Sequence, residues 1–539
     1  MLTAAAARTA ALVLVLACGA VVAPATATPA GVVTAPRAGA LQLDPSTPLL
    51  GEPLAVSAVV PGPARRPVTL QVRAGGAWRT VARGRAARSG RTTLTAPAPR
   101  GTIRLAAPAA GGRPAWTSSP RAVPMARPRS RVVDRAGGGG LPADGANDLE
   151  VSADGRWAVW VSASDDIANV DTNGTADVYL TDLRTGATTL VSRTPTFTAG
   201  NGTSIEPSIS ADGAEVAFSS AATDLVPGPS SGYQVYRFSR ATGTVTRVSN
   251  AMGGGAADGV SSSPAISADG SAIAFTSSAT TMAGDTTATV DVFIGYRGDP
   301  QPRQVSITPS GVPGSARSES PSISATGRYV SFSSNASDLV AGDTDGFSDV
   351  FVRDLDTSRT TLISRVPGGP LANGASYASS ISGAGDRVAF ETTATNLATG
   401  GSRVNGDVVV WTRGAPRLVT ASVRRDPAAA FAVDDPHLSR DGRWVLMDTT
   451  DALLAADRNG VPDTYAVRLG TGSGAAARPF LVNATVSSTG RPCATPVGSS
   501  GTSISGDGRF VGFVSYCSDL TPGDTNTDPD VFLTDLRAR

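Results

Sequence analysis

Two recurring groups of acidic residues are the side chains of this sequence that are best suited to chemistry. The first group precedes several strand-like runs and stands beside the single histidine: Asp148, Glu150, Glu206, Glu319, Asp434, Asp435 and His437. Paired carboxyl groups act as acid and base in glycoside hydrolysis, and carboxylates also bind cations or basic partners. A solvated acidic rim is the simplest interpretation. We predict a binding site at these residues and no catalytic residue.

The second group is a seven-residue loop, rich in Asp, that recurs four times. Its members are Asp171, Asn173 and Asp177; Asp343, Asp345 and Asp349; Asp457, Asn459 and Asp463; and Asp524, Asn526, Asp528 and Asp530. Oxygen side chains at positions 1, 3 and 7 match the start of a calcium loop, but only the last copy has an acid at position 5. Asp and Asn also bond their own backbone in turns. Turn formation and calcium binding both stay open, and no other cofactor is expected.

Histidine and cysteine chemistry is sparse. A Ser-His-Asp triad would have to use His437, and no Gly-x-Ser-x-Gly elbow accompanies it. A transition-metal site with one His is equally unsupported. Cys493 and Cys517 fall in the same repeat and on the same predicted face, so we predict a disulfide between them.

The first 27 residues have the features of an export signal. Arg8 is followed by an apolar run over 10–23 and by the small residues Ala25-Thr26-Ala27, which form a cleavage site. We therefore predict a secreted or envelope-associated protein. A lipoprotein acylated on Cys18 is the alternative. No later run approaches the ~20 apolar residues of a membrane span.

Charge is distributed unevenly along the chain. Residues 31–130 contain 15 Arg and two acids, whereas residues 131–539 contain 30 Arg and 43 acids. The acidic body argues against nucleic acid as a partner. The basic front could contact anionic envelope polymers or the acidic body itself. We expect a monomer.

Residues 40–123 form a separate small β-domain. Val68, Leu70 and Val72 alternate with polar residues, which predicts a strand with one buried face. The pattern "VTLQVRAGGAWRTVARG" resembles bacterial immunoglobulin-like domains, and the resemblance implies a small β-sandwich. Residues 124–130 read as a linker.

The elements that must position the acidic residues are seven copies of a 57–58-residue unit. A Ser-x-Asp-Gly-like turn starts at Ser152, Ser210, Ser267, Ser324, Ser382, Ser439 and Ser505, with a last step of 66 residues. Each copy predicts four strands, a to d, with the turn between a and b. An apolar pair two residues apart lies on strand b, and strand c begins at Asp177 and its equivalents. Four antiparallel strands repeated in this way predict a β-propeller.

A closed ring is favoured over a linear array of β-units. The last copy ends at strand c, and its missing strand precedes the first copy, where residues 130–138 match residues 246–254. We therefore predict an all-β protein with a seven-bladed propeller over 131–539, closed by a strand at 131–134. The d-to-a and b-to-c loops then share one face, on which we expect function.

The repeats resemble those of TolB-like, WD-repeat-like propellers. The motifs "ISADG…DVFI" and "ISGDGRFVGF…DVFLTDL" carry this resemblance, which implies the fold but little about chemistry. We expect a non-catalytic binding or scaffold protein for a protein or a cell-envelope glycan. The alternative is a polysaccharide hydrolase or lyase that uses the acidic rim.

Overall fold

The computed structural model describes most of the chain as β-sheet. The described residues are 40–44, 53–62, 65–74, 76–124, 129–137, 140–282, 284–285, 287–397, 406–415, 418–421, 433–449, 462–469, 480–483, 499–518, 520 and 528–537. These residues contain strands and turns but no helix, so no described helix is long and apolar enough to span a membrane. The export signal lies outside them.

The chain divides into two compact units, Met1–Ser46 with Leu54–Val123, and Thr47–Pro53 with Pro124–Arg539. The first unit contains a three-stranded sheet in the order β1-β2-β5 and a second sheet in the order β4-β3-β6-β7, with β8 also paired to β6. Its strands are β1 (Gln42–Asp44), β2 (Pro53–Val59), β3 (Pro67–Ala74), β4 (Ala77–Arg85), β5 (Arg91–Pro97), β6 (Thr102–Ala107), β7 (Trp116–Thr117) and β8 (Arg121–Ala122). Val68, Leu70 and Val72 are buried as predicted. The immunoglobulin-like assignment stays a prediction.

The second unit is a β-propeller made of seven four-stranded antiparallel sheets, numbered here in chain order. Sheets 1 to 6 take four consecutive strands each, and sheet 7 takes β34, β35, β36 and then β9. The strands are β9 (Arg129–Val132), β10 (Ala146–Val151), β11 (Trp157–Ser162), β12 (Asp177–Asp182), β13 (Ala187–Leu190), β14 (Ser204–Ile209), β15 (Glu215–Ser220), β16 (Gln234–Ser239), β17 (Thr244–Arg247), β18 (Ser261–Ile266), β19 (Ala272–Ser277), β20 (Asp291–Tyr296), β21 (Arg303–Gln304), β22 (Ser318–Ile323), β23 (Tyr329–Ser334), β24 (Asp349–Asp354), β25 (Arg359–Leu362), β26 (Ser376–Ile381), β27 (Arg387–Thr392), β28 (Asp407–Thr412), β29 (Val419–Thr420), β30 (Val433–Leu438), β31 (Trp444–Thr449), β32 (Asp463–Arg468), β33 (Phe480–Asn483), β34 (Ser499–Ile504), β35 (Phe510–Ser515) and β36 (Asp530–Asp535).

The hydrophobic pattern explains why these sheets stack. The predicted aromatic or methionine position of strand b is at most 1% exposed in all seven sheets: Trp160, Phe218, Phe275, Phe332, Phe390, Met447 and Phe513. In five sheets this ring stacks on an aromatic residue of strand c, as Phe332 does on Phe351 at 5.8 Å. Such pairs add to the stabilisation from buried area. Strand c begins at the predicted residue in every sheet.

The turn between strands a and b is built by its serine and glycine. In sheet 1, the Ser152 hydroxyl oxygen accepts a hydrogen bond from the Trp157 amide at 2.9 Å, and Gly155 has a φ of 67°. A positive φ of this size favours glycine because it has no Cβ. The recurrence of Ser and Gly in this turn along the chain therefore reflects backbone geometry.

Backbone hydrogen bonds close the ring at all seven junctions between sheets. In each bond, the amide of the second or third residue of an a–b turn donates to a carbonyl in the next sheet. The acceptor is always the second residue of the a–b turn of that sheet. The acceptors are Ala211, Ala268, Ala325, Gly383, Arg440, Gly506 and, from sheet 7 back to sheet 1, Ala153. Closure by an N-terminal strand is confirmed, because β9 pairs with β36. The strand spans 129–132, two residues earlier than predicted.

Candidate functional site

The innermost strands enclose a cavity of about 440 Å³ on the axis of the ring. All seven sheets line it, and every lining residue belongs to strand a or to the turn after it. The polar lining residues are Asp148, Glu150, Glu206, Ser208, Ser320, Ser322, Ser379, Ser380, His437, Arg440 and Ser503. The cavity therefore brings four residues of the first predicted group, Asp148, Glu150, Glu206 and His437, together with a set of serines.

A bulge in strand a shapes the mouth of this cavity. The pairing of strands a and b shifts register near its middle in each sheet. In sheets 1 to 5 the bulged residue is not glycine, yet its φ lies between 47° and 53°: Asp148, Glu206, Ser263, Ser320 and Ala378. Non-glycine residues rarely adopt this conformation, which is concentrated at functional or tightly constrained positions.

Two of the bulged residues use their carboxylates to join neighbouring sheets. Asp148 Oδ2 accepts a hydrogen bond from the Glu206 amide at 3.4 Å. Glu206 Oε2 in turn accepts from the Ser263 amide at 2.7 Å and from the Ser219 hydroxyl at 2.9 Å. Burial raises the pKa of Asp148, and the hydrogen bond from Glu206 partly opposes the rise. These two acids therefore hold the rim of the cavity together.

A second ring of hydrogen bonds lies deeper, near the end of strand a. Ser208 Oγ accepts from the Ile266 amide at 3.1 Å, and the equivalent serines 322, 380 and 503 accept from the next sheet in the same way. In sheet 1 this position is Glu150, whose Oε2 accepts from the Ile209 amide at 2.9 Å. Glu150 is thus a charged substitute for a linking serine, deeper than the predicted mouth.

Arg440 lies at the closed end of the cavity and spans the axis. It comes from the a–b turn of sheet 6, where the other sheets have alanine or glycine, and its Nη2 donates to the Ile209 carbonyl of sheet 2 at 3.3 Å. Burial raises the pKa of Glu150, while the charges of Arg440 and then His437 oppose the rise. Burial also lowers the pKa of Arg440, and Glu150 offsets part of that effect. The two charges compensate each other through the buried interior.

The structure describes the remaining members of the first predicted group unevenly. Glu319 forms an ion pair with Arg317 and lines a second cavity of about 270 Å³ between sheets 3 and 4. Asp434 and Asp435 belong to β30, and their side chains are outside the described part of the structure. His437 occupies the position of Glu150 in sheet 6 and lines the axial cavity.

The Asp-rich loop of sheet 1 has a nearby donor for each of its two acids, although Asp171 Oδ1 is buried without a hydrogen-bond partner. Asn173 Nδ2 donates to Asp177 Oδ2 at 2.6 Å, and Asn173 Oδ1 accepts from the Thr175 amide at 2.8 Å. The Tyr179 hydroxyl donates to Asp171. Burial raises the pKa of Asp177 to about 7. This copy supports the turn-forming interpretation of the loop.

The remaining Asp-rich loops are described in part. Sheet 4 brings Asp343, Asp345 and Asp349 together. In the other two loops, Asp457, Asn459, Asp524 and Asn526 lie outside the described residues. Asp463 and Asp530 are buried at the start of strand c, and Asp528 is exposed.

Asp530 faces another buried acid, Asp134, at the closure of the ring. Sheets 1, 3 and 4 have at this point a serine that accepts a strand c amide and donates to the first Asp of strand c, as Ser306 does to Asp291 at 2.7 Å. In sheet 7, Asp134 takes the place of that serine and accepts from the Val531 amide at 3.0 Å. Burial and then the negative charge of Asp530 raise the pKa of Asp134 to about 8. The raised pKa favours the protonated form of Asp134 beside Asp530.

Cys517 is fully buried at the end of strand b in sheet 7, and its sulfur is disulfide-bonded. Cys493 lies outside the described residues, so the Cys493–Cys517 pairing stays a prediction. We expect the mature, unreduced protein, denatured to expose its sulfurs, to react with no thiol reagent. Two reactive thiols per chain after denaturation would contradict the pairing, and reduced protein supplies the control.

Arg440 and Asp134 escaped prediction, and Glu150 was predicted as a binding residue but not as a link between sheets, although the sequence contains signals for all three. Arg440 replaces alanine or glycine in the turn, and Glu150 replaces serine at a repeated position. The strand register places Asp134 at the position of Ser192, one residue from where the match of 130–138 with 246–254 puts it, and this position faces Asp530. In each case the informative signal is a departure from the repeat, which matters only once the sheets are arranged in a ring.

No protein-family model matches the sequence, and no curated protein matches it. Similar solved structures include a putative TolB from Agrobacterium tumefaciens, 14% identical with a TM-score of 0.36, over 66% of this chain and 95% of that one. A GH74 xyloglucanase from Xanthomonas campestris is 12% identical with a TM-score of 0.39, over 72% of this chain and 52% of the enzyme. A prolyl endopeptidase is 13% identical with a TM-score of 0.41, over 84% and 55%. This chain spans about half of each enzyme, and likenesses at this level carry no argument about activity.

Proposed function

We propose that this chain is an exported binding protein that holds a basic segment of a partner protein in the axial cavity, without catalysing a reaction. The observation that carries the proposal is that the acids of the cavity bond the backbone of neighbouring sheets. Asp148, Glu150 and Glu206 each accept an amide from the next sheet. We assign these acids two roles, to fix the shape of the cavity and to give it negative charge. Neither role requires that a proton be transferred.

The balance of charge favours a basic ligand. Asp148, Glu150 and Glu206 line the cavity, and Arg440 offsets one of these three charges. A lysine side chain or an N-terminal amine reaching the mouth meets the free lone pairs of Asp148 and Glu206. In a partly enclosed site such pairs are worth more than on an open surface.

The rest of the lining favours a peptide over a glycan. Serine hydroxyls and the prolines 207, 264, 321 and 436 surround the cavity, and no Phe, Tyr or Trp is among its lining residues in the described structure. A sugar ring therefore has no flat apolar face to stack on there. The serines and backbone carbonyls instead suit the alternating donors and acceptors of a peptide.

Export rests on the leader over residues 1–27 and on the cysteine pair, both of which are typical of secreted chains. Expression in a bacterial host with the leader intact, followed by N-terminal sequencing of extracellular protein, tests it. Cleavage after Ala27 is the expected result. Retention of the uncleaved chain in the cytoplasm would contradict export.

Selection from a displayed peptide library tests the ligand class. We expect enrichment of peptides with Lys, Arg or a free amino terminus, and binding of the best peptide to weaken about tenfold or more in Asp148→Asn/Glu206→Gln, a loss of about 1.4 kcal/mol. Both replacements keep an oxygen that accepts the neighbouring amide, so the fold should persist. Asp356→Asn, in an exposed c–d turn, is the matched control. A library that yields only acidic or neutral peptides, or a glycan array that yields the tighter ligand, would overturn this assignment.

A further inference from the structure

The b-to-c loop of sheet 4 brings three carboxylates together and supplies them with few donors: the Phe347 amide donates to Asp345 Oδ1 and the Ser364 hydroxyl donates to Asp349 Oδ1. The ligand oxygens of Asp343, Asp345 and Asp349 lie within 4.8 Å of one another. Asp343 is 6% exposed and Asp349 is 1% exposed. No described residue donates a hydrogen bond to Asp343, and Oδ2 of both Asp345 and Asp349 is buried without a partner. Such an arrangement is costly unless a cation compensates it.

The equivalent loop of sheet 1 indicates what is missing. There, Asn173 Nδ2 donates to Asp177 Oδ2 at 2.6 Å, and the Tyr179 hydroxyl donates to Asp171. In sheet 4 the residue in the place of Asn173 is Asp345, which has no hydrogen to donate. The residue in the place of Tyr179 is Phe351, a hydrocarbon ring. Both internal donors are therefore absent from a loop with the same spacing of acids.

Sheet 3 provides a second comparison. Asp285 Oδ1 accepts from the Thr287 amide at 2.8 Å and from its hydroxyl at 3.2 Å, and Asp291 Oδ2 accepts from the Thr289 hydroxyl at 3.2 Å. The acids at positions 1 and 7 of this loop are thus also supplied with donors by their own loop. Among these three loops, described in sheets 1, 3 and 4, only that of sheet 4 has an acid at position 3.

We propose that the sheet 4 loop binds one calcium ion through Asp343, Asp345 and Asp349, and that the ion replaces the two donors of the sheet 1 loop. An all-oxygen set selects a hard cation. Ca²⁺ accepts six to eight oxygens in flexible geometry, whereas Mg²⁺ requires a near-octahedral shell and keeps several waters, so three loop carboxylates favour Ca²⁺. The site lies on a loop of the predicted functional face and is independent of the ligand in the axial cavity.

Calcium titration of the full mature chain, stripped with chelator and desalted, tests the site. Relative to the parent, Asp345→Asn should bind one calcium equivalent fewer and should lose part of the calcium-dependent rise in melting temperature. It should unfold no earlier than the parent without calcium, because the new amide donates to Asp349 as Asn173 does to Asp177. Asp356→Asn, in the c–d turn of the same sheet, should match the parent. Equal stoichiometry in the parent and Asp345→Asn, or no uptake by the parent, would overturn the proposal.

The reciprocal exchange tests the donor argument directly. Asn173→Asp with Tyr179→Phe removes both donors from the sheet 1 loop and should add one calcium equivalent to the parent stoichiometry. Magnesium at the same concentration should give a smaller shift in melting temperature than calcium. A double variant that folds but gains no calcium would overturn the view that these two donors stand in for the ion.

Discussion

Asp134→Ser is expected to stabilise the propeller at alkaline pH, by an amount that grows as pH rises from about 4 to about 8. Asp134 lies at the junction that closes the ring, buried against Asp530. Its serine replacement recreates the arrangement of sheet 3, in which Ser306 donates to Asp291 at 2.7 Å and accepts the Val292 amide at 3.0 Å. The substitution therefore keeps an acceptor for the hydrogen bond from the Val531 amide and removes one of two opposed acids.

The direction follows from proton linkage. Burial and Asp530 raise the pKa of Asp134 from 3.8 to about 8 in the folded state. The folded protein thus keeps a proton that the unfolded chain releases above about pH 4, and stability falls with pH across this interval. Each unit of raised pKa is worth about 1.4 kcal/mol, so we expect a gain of at least about 2 kcal/mol at pH 8.

Thermal unfolding between pH 4 and pH 9, with chelator present to exclude calcium effects, measures the difference between Asp134→Ser and the parent. Ser306→Asp is the reciprocal control, because it places an acid against Asp291 and should install the same sensitivity in sheet 3. A difference between Asp134→Ser and the parent that is constant with pH, or a loss of stability at pH 8, would show that Asp134 is not held protonated.

Arg440→Ala is expected to destabilise the propeller by about 2 kcal/mol, the scale of a lost hydrogen bond from a charged group. The substitution gives sheet 6 the alanine of sheets 1 to 4 but removes the positive charge that opposes the charge of half-buried Glu150. It also removes the donor to the Ile209 carbonyl. Glu150→Ser alone should be destabilising for the converse reason.

The double variant distinguishes charge compensation from simple loss of packing. Glu150→Ser/Arg440→Ala gives both positions the residues of the other sheets, so its free energy of unfolding should return to within about 1 kcal/mol of the parent. Denaturant unfolding of the four proteins completes the cycle. Additive losses, with the double variant less stable than either single variant, would contradict a coupling between these residues.

The repeat made most of the fold predictable. Strand c starts where predicted in every sheet because its first residue and the buried position on strand b recur at a nearly fixed spacing. The closing strand was displaced by two residues, from 131–134 to 129–132. The match that located it rests on a glycine pair in the following loop, and spacing within a loop fixes a strand end poorly.

Only part of the membership of the candidate site was predictable, and its contacts were not. The sequence places Glu150 and Arg440 290 residues apart, and their interaction arises because sheets 1 and 6 meet at the axis. The carboxylates of Asp148 and Glu206 were expected to face a ligand, whereas both also bond backbone amides of adjacent sheets. Strand a bulges at these residues. The bulge requires a positive φ, which cannot be predicted from the presence of Asp or Glu at these positions.

The central claim is that the axial cavity holds its ligand without transforming it. Equilibrium binding of the best selected peptide to the parent and to Ser322→Trp, with mass spectrometry of the peptide after prolonged incubation, tests this claim most directly. Ser322 lines the cavity, and the indole is expected to fill it. We predict saturable one-to-one binding by the parent, loss of binding in Ser322→Trp, and recovery of intact peptide. Undiminished binding by Ser322→Trp, or peptide cleavage that Glu206→Gln abolishes, would contradict it.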